Sequence, residues 1–203
     1  MNFFRVSGPL LWGGYGMLLA GGFARCGGSE EEPFLLFRTG PFIPPISFPF
    51  PHVVVTQDFR KQIDDSGWFS FDYRNVVKKH IAKLHWERWD RNADQPKKYP
   101  RGGEPEGYIL NSWHSRSAAK QMGDIWELRL PRGADTASKE VEGERRMKVM
   151  VNPESWDGQN FFRSKTQGYL IVSTEGAEWL RQTCQEWVTL DACIDWDSET
   201  AVA

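Results

Sequence analysis

The chain has 203 residues, 40% hydrophobic and 26% charged, which is ordinary globular usage and excludes a disordered chain, a coiled coil and a collagen. A chain of this length buries enough surface to build a core without a disulfide or metal staple. Lys and Arg number 25 against 27 Asp and Glu, so the net charge of −2 leaves no electrostatic footprint for nucleic acid or an anionic membrane.

The unusual feature is tryptophan. Ten Trp is about three to four times ordinary usage. Trp fills half-buried cores, and it is also enriched at interfaces, where its N–H finds a partner. Three cysteines, Cys26, Cys184 and Cys193, form neither a CxxC pair nor a disulfide framework and read as reduced thiols.

Residues 6 to 24 carry no charge, and Met17-Leu18-Leu19-Ala20 resembles the apolar part of a signal peptide ahead of Cys26. Gly8, Pro9, Gly13, Gly14, Gly16, Gly21 and Gly22 interrupt the run, so it reads as neither a signal peptide nor a membrane span.

In chain order, residues 2 to 6 predict a strand, followed by a Gly-rich loop and a second strand over Phe34 to Arg38. Five prolines between Pro41 and Pro51 predict an extended arm lying against the body. Val53 to Val55 predicts a strand. Thr56 then caps a helix with Phe59 and Ile63 on its buried face and Ser66-Gly67 at its end. Strands are expected over Trp68 to Tyr73 and His80 to Trp86.

Residues 90 to 107, rich in Pro, Gly and polar side chains, predict a long functional loop or lid. A brief strand over Tyr108 to Leu110 follows, then a helix from Ser115 to Met122 stopped by Gly123. Ile125 to Leu130 alternates as a strand with one buried face. Residues 131 to 145 predict a polar connection, and Met147 to Val151 a strand.

Near the C-terminus, Leu170 to Val172, the cap Ser173, a helix through Cys184 and a strand from Glu186 to Asp191 repeat the plan of residues 54 to 72. Each run ends in Trp-x-Ser/Thr-x-Asp, at Trp68 to Asp72 and Trp187 to Asp191, which predicts an internal strand–helix–strand duplication. The expected fold is α+β, a mixed, mainly antiparallel sheet with a few short helices. It is read as one domain: a Gly-rich segment over 1–33, a first half over 34–130, a polar linker over 131–145 and a second half over 146–203.

No catalytic constellation stands out. A nucleophile elbow and a phosphate-binding Gly motif are both missing from the sequence. His80 and His85 are misaligned for a shared metal, and His52 and His114 stand alone, so neither metal nor cofactor is expected. Arg38, Ser173-Thr174 and Glu186 follow in the order of the Arg, Ser-Thr-Ser and Glu elements of ADP-ribosyltransferases, without the third hydroxyl residue or a Glu-x-Glu pair. That leaves an enzyme of ADP-ribosyltransferase or hydrolase type as one alternative, and a small-ligand binder with a Trp-lined pocket as another.

The densest polar–aromatic stretch is His85-Trp86-Glu87-Arg88-Trp89-Asp90, followed by Tyr99-Pro100 and Trp113-His114. Trp and Arg dominate binding hot spots. His85, Trp86, Arg88, Trp89, Asp90, Tyr99, Trp113 and His114 are therefore the candidate partner-binding residues. The acidic tail, Asp191, Asp195, Asp197 and Glu199, is a solvated terminus or a contact for a basic partner.

Leu36-Phe37-Arg38-Thr39-Gly40-Pro41-Phe42-Ile43-Pro44-Pro45-Ile46 followed by Val54-Val55-Thr56, with His85-Trp86, Trp89-Asp90, Tyr99-Pro100, Gly103 to Ile109 and Trp156-Asp157-Gly158, resembles a family of uncharacterised bacterial proteins. The Val54-Val55-Thr56 and Ile171-Val172-Ser173 elements are similar to those of immunity proteins of polymorphic toxin systems. That resemblance implies a cytoplasmic, non-catalytic protein that neutralises a cognate toxin domain by occluding its active site; the charge balance separately argues against nucleic acid or membrane as partner.

Overall fold

The computed structural model describes residues 2–25, 32–67, 71–99, 103–144 and 147–196. Cys26, the Trp68-Phe69-Ser70 opening of a predicted strand, Pro100, and Asp197 and Glu199 of the acidic tail lie outside the described residues.

In chain order the elements are β1 (Phe3–Ser7), α1 (Tyr15–Gly21), β2 (Phe23–Arg25), β3 (Phe34–Gly40), β4 (Ile46–Ser47), β5 (Val54–Thr56), α2 (Gln57–Ser66) and β6 (Asp72–Lys83). Then follow α3 (Pro105–Asn111), α4 (Arg116–Gln121), β7 (Ile125–Arg129), β8 (Thr136–Lys139), β9 (Lys148–Val151), β10 (Phe161–Arg163), β11 (Leu170–Ser173), α5 (Thr174–Cys184) and β12 (Thr189–Ala192). Among the described strand pairs, β3 and β6 run parallel and the rest antiparallel, an α+β fold.

The chain forms two compact units. One is Gly8–Arg129, and the other joins the residues up to Ser7 with those from Leu130 onward. The larger unit holds a six-stranded sheet in the order β2-β3-β6-β7-β5-β4. One of its cores gathers Phe34, Leu36, Val54, Val76, Ile81 and Ile125 with the small residues of α4. A separate cluster centres on Leu19 of α1, Phe37 of β3 and Ile109 of α3. Burying each such side chain contributes about 1.5–3 kcal/mol. The second unit holds a four-stranded sheet, β10-β11-β1-β12, and the β8-β9 ribbon, over a core of Phe3, Val149, Val151, Phe162 and Ile171.

The duplication is present in the ladders. In the larger unit, β5 and β6 flank β7 and pair antiparallel with it, β4 lies outside β5, and α2 joins β5 to β6. In the second unit, β11 and β12 flank β1 in the same way, β10 lies outside β11, and α5 joins β11 to β12. Thr56 accepts a hydrogen bond from the Phe59 N–H, and Ser173 accepts one from the Gly176 N–H, so both helices carry the same cap. The central strand of one copy, β7, follows β6 in sequence, whereas that of the other, β1, opens the chain.

The ladders correct the alignment of the repeat. Ile125 faces Thr56 and Phe3 faces Ser173, while Arg129 faces Asp72 and Ser7 faces Thr189. Thr56 therefore matches Ser173, Asp72 matches Thr189, and Arg74 matches Asp191, with no insertion between them. The shared Trp-x-Ser/Thr-x-Asp ending is two residues out of register.

Several local expectations also change. The Gly-rich segment contains α1 and β2 rather than a loop. A Cβ built on Gly16 would lie 2.8 Å from Trp89 Cζ2, so that glycine lets α1 approach a tryptophan closely. The predicted strand from His80 to Trp86 ends at Lys83, because β6 stops with its partner β3 at Gly40; Trp86–Arg88 turns as a 3₁₀-helix. Tyr108 to Leu110 lies in α3, not a strand: Pro105 occupies the first turn, where its missing N–H is harmless. β7 is central, and Ile125, Glu127 and Leu128 are all buried, so both its faces are covered. The polar connection over 131–145 contains β8.

Candidate functional site

A cleft of about 870 Å³ opens in the larger unit. One wall comes from the chain leaving β6: Leu84, His85, Arg88, Trp89 and Asp90. A second comes from the irregular segment ending in Lys97, Lys98 and Tyr99. The third is the end of α3 and the turn after it, with Tyr108, Asn111, Ser112 and Trp113. Trp12, from the turn before α1, completes it.

The floor is the Leu19, Phe37 and Ile109 cluster, against which Trp12, Tyr15, Leu84, Trp86 and Tyr108 pack. Above it the rings interlock. Trp86 and Trp89 have centroids 3.9 Å apart, Trp12 meets Trp89 edge-on at 4.5 Å, and Tyr15 meets Tyr99 edge-on at 5.1 Å. The Trp12 indole N–H donates to the Asp90 carbonyl at 2.8 Å, and the Tyr108 hydroxyl donates to the Lys83 carbonyl at 2.6 Å. Trp12 itself has φ 48° and ψ 47°, the left-handed region, which costs an L-residue roughly 1–2 kcal/mol. The floor contacts and the N–H bond hold it there.

Six of the eight candidate residues line this cleft: His85, Arg88, Trp89, Asp90, Tyr99 and Trp113. Trp86 sits behind them, tilted against both Trp89 and Phe42. His114 turns the other way. Its Nδ1 accepts the Ile81 N–H at 3.0 Å, it bridges to Ala82, and burial with His80 and Arg116 nearby lowers its pKa. That makes His114 a fastener of the α3–α4 turn onto β6. Sequence reasoning missed Trp12, Tyr108, Asn111 and the lysine pair. Lys97 and Lys98 lie inside the loop flagged as functional; Trp12, more than seventy residues away in sequence from Trp89, carried no local signal.

The cleft's exposed surface is aromatic and cationic. Trp113 is 94% exposed and Tyr99 50%. Among the described residues Lys97 and Lys98 have no ion pair, and Arg88 approaches Glu87 at 4.0 Å on an exposed face. Among the described residues Asp90 is the one acid in the lining. Three buried donors of the ring cluster, Tyr15 Oη, Trp86 Nε1 and Trp89 Nε1, have no hydrogen-bond acceptor among the described residues. Burial, with Glu104 close by, raises the Tyr15 pKa.

The residues of the enzyme alternative have structural employment. Arg38 is fully buried in the larger unit, with its Nε donating to the Thr39 carbonyl and its Nη2 to the Phe42 carbonyl, which ties down the start of the Pro-rich arm. Burial lowers its pKa. Ser173 is a buried helix cap that also hydrogen-bonds Asn160, and Glu186 is exposed on a 3₁₀ turn; both belong to the second unit. Cys184 and Cys193 are free thiols whose pKa values burial pushes up to about 11 and about 12. Neither is an activated nucleophile.

Among the described residues no group of three His, Cys, Asp or Glu side chains could hold a metal ion. None of the described helices is long and apolar enough to cross a membrane. Fold and site together describe an α+β protein with a cationic, aromatic-walled cleft on one of two duplicated units. No family model, curated protein or solved structure matches the chain.

Proposed function

We propose that this chain is a non-catalytic binding protein that docks a protein partner in the cleft lined by residues 84–113. In its most specific form the partner is a cognate bacterial toxin domain whose active site is occluded, in the manner of an immunity protein. The observation that carries the binding reading is Trp113, 94% exposed at the mouth of a ready-made cleft. A Trp left in water beside an ordered aromatic wall has the composition of a hot spot. The toxin-directed form rests on the Val-Val-Thr and Ile-Val-Ser resemblance.

The test is capture with tagged full-length chain from its native cell extract, followed by co-expression of the captured protein with and without the chain. One stoichiometric partner, toxic alone and harmless when co-expressed, is expected, and Trp113→Ala is expected to weaken both capture and protection. A captured protein that is harmless alone removes the toxin-directed form. Capture of nothing, or capture indifferent to Trp113→Ala, removes the cleft as the docking site.

A further inference from the structure

We infer that the cleft selects an acidic segment of its protein partner, with carboxylates meeting Arg88, Lys97 and Lys98 while apolar or aromatic side chains pack on Trp113 and Tyr99. This deepens the binding reading and rests on it.

Charge is the first ground. The lining holds Arg88, Lys97 and Lys98 against Asp90, although the chain as a whole is net negative at −2. A local cationic site on an acidic protein is a choice of partner rather than a consequence of composition. The two lysines have no ion pair among the described residues, so their charge is available to an incoming anion. Aromatic exposure is the second ground. Trp113 and Tyr99, 94% and 50% exposed, line the same cleft as the three cations, so apolar and anionic groups of one segment find adjoining contacts.

The same features bear on what kind of anion fits. A polyanion such as single-stranded nucleic acid also stacks on aromatic rings, but it draws its affinity from a long positive track. Here the lining supplies three cations, Arg88, Lys97 and Lys98, beside Asp90, and acids and bases alternate close by in sequence, Glu87, Arg91, Asp94, Arg101, Glu104 and Glu106. A short acidic peptide segment matches that footprint.

The experiment measures fluorescence anisotropy of labelled peptides of about twelve residues, alternating Glu, Gln or Lys with Leu, and of an oligothymidylate of similar length, against the full chain. The Glu-Leu peptide is expected to bind at least about tenfold more tightly than the Gln-Leu and Lys-Leu peptides and to weaken as salt rises. The double variant Lys97→Glu with Lys98→Glu is expected to lose at least about tenfold for the Glu-Leu peptide. Equal affinity for Gln-Leu, tighter binding of oligothymidylate, or indifference of Glu-Leu binding to the double variant each overturns the acidic assignment. Trp113→Ala separates the two levels. If it abolishes partner capture while the lysine variant leaves capture intact, the cleft stands and its acidic selectivity falls; if Trp113→Ala changes nothing, the cleft itself falls.

Discussion

The two copies of the strand–helix–strand plan share their ladders and caps and differ in what surrounds them. In both, an ion pair crosses from the central strand at the same ladder position, and its polarity is reversed. In the second unit Arg5 of β1 faces Asp191 of β12 at 3.0 Å. In the larger unit Glu127 of β7 faces Arg74 of β6 at 2.7 Å and also meets His52 at 2.6 Å. In the larger unit the segment between β6 and β7 supplies most of the cleft lining, over residues 84–113, whereas in the second unit the central strand β1 precedes both strands that flank it. The repeated frame thus accommodates a long cleft-forming segment beside one copy's central strand.

The largest difference to test is the ion pair. Glu127 is 7% exposed and serves two partners, whereas Asp191 is 35% exposed. Glu127→Ala is expected to destabilise by about 1–3 kcal/mol, since it removes a buried carboxylate that accepts from Arg74 and is hydrogen-bonded to His52. Asp191→Ala is expected to cost about 0–1 kcal/mol, the range of a solvent-screened pair. Urea unfolding of both variants checks this, and equal losses would break the comparison. Acid sharpens it. Burial opposes the charge on Glu127, but hydrogen bonds from His52 and Arg74 outweigh burial and hold its pKa below the ordinary value. Its contribution is therefore complete above the unfolded carboxyl pKa of about 4.5 and is lost as pH falls through the lower folded value. Glu127→Gln is expected to flatten that part of the acid limb, which acid unfolding followed by circular dichroism checks.

Matched core positions should behave alike. Ile63 of α2 and Leu180 of α5 correspond and are both buried. Either residue changed to Ala is expected to cost about 2–5 kcal/mol in urea unfolding. The caps come next. Thr56→Ala is expected to cost about 1 kcal/mol and Ser173→Ala somewhat more, because Ser173 also bonds Asn160. A Ser173→Ala effect smaller than that of Thr56→Ala would mean that the two caps are not equivalent.

What could be read in advance was what short-range chemistry specifies. Thr56, Ser115 and Ser173 cap helices because an oxygen three residues ahead of an N–H needs no tertiary context. The apolar run Tyr108-Ile109-Leu110 suits a strand or a helix equally; the deciding signal was Pro105 followed by Glu106, a helix start. The duplication was legible as a plan, but its register was not. Identical letters suggested matching Asp72 to Asp191, while the pairing of each copy with its central strand matches Asp72 to Thr189. The cleft was half legible. The segment from His85 to Asp90 lies together in sequence, so its aromatic density was visible. Trp12 and the Leu19-Phe37-Ile109 floor are assembled by folding, and no spacing rule reaches that far. Two candidates fell outside the lining because tertiary contacts claim them: Trp86 packs on the Leu19-Phe37-Ile109 cluster and against Phe42, and His114 accepts the Ile81 N–H.

The smallest expected effect on stability is the most informative about function. Trp113 in the larger unit and Trp187 in the second unit are chemically identical and oppositely placed, 94% and 5% exposed. Trp187→Ala removes a packed core ring and is expected to destabilise by about 3–5 kcal/mol. Trp113→Ala removes almost nothing from the folded interior, so its unfolding midpoint is expected to stay within about 0.5 kcal/mol of the parent. Partner affinity should reverse that order: Trp113→Ala is expected to lose about 2 kcal/mol or more of binding, and Trp187→Ala, in whatever fraction remains folded, much less. Calorimetric titration of captured partner against both variants reads this directly. If Trp113→Ala kept full affinity while unfolding more easily, the exposed ring would be a structural brace, and the cleft would lose its strongest support as the place where this duplicated frame meets its partner.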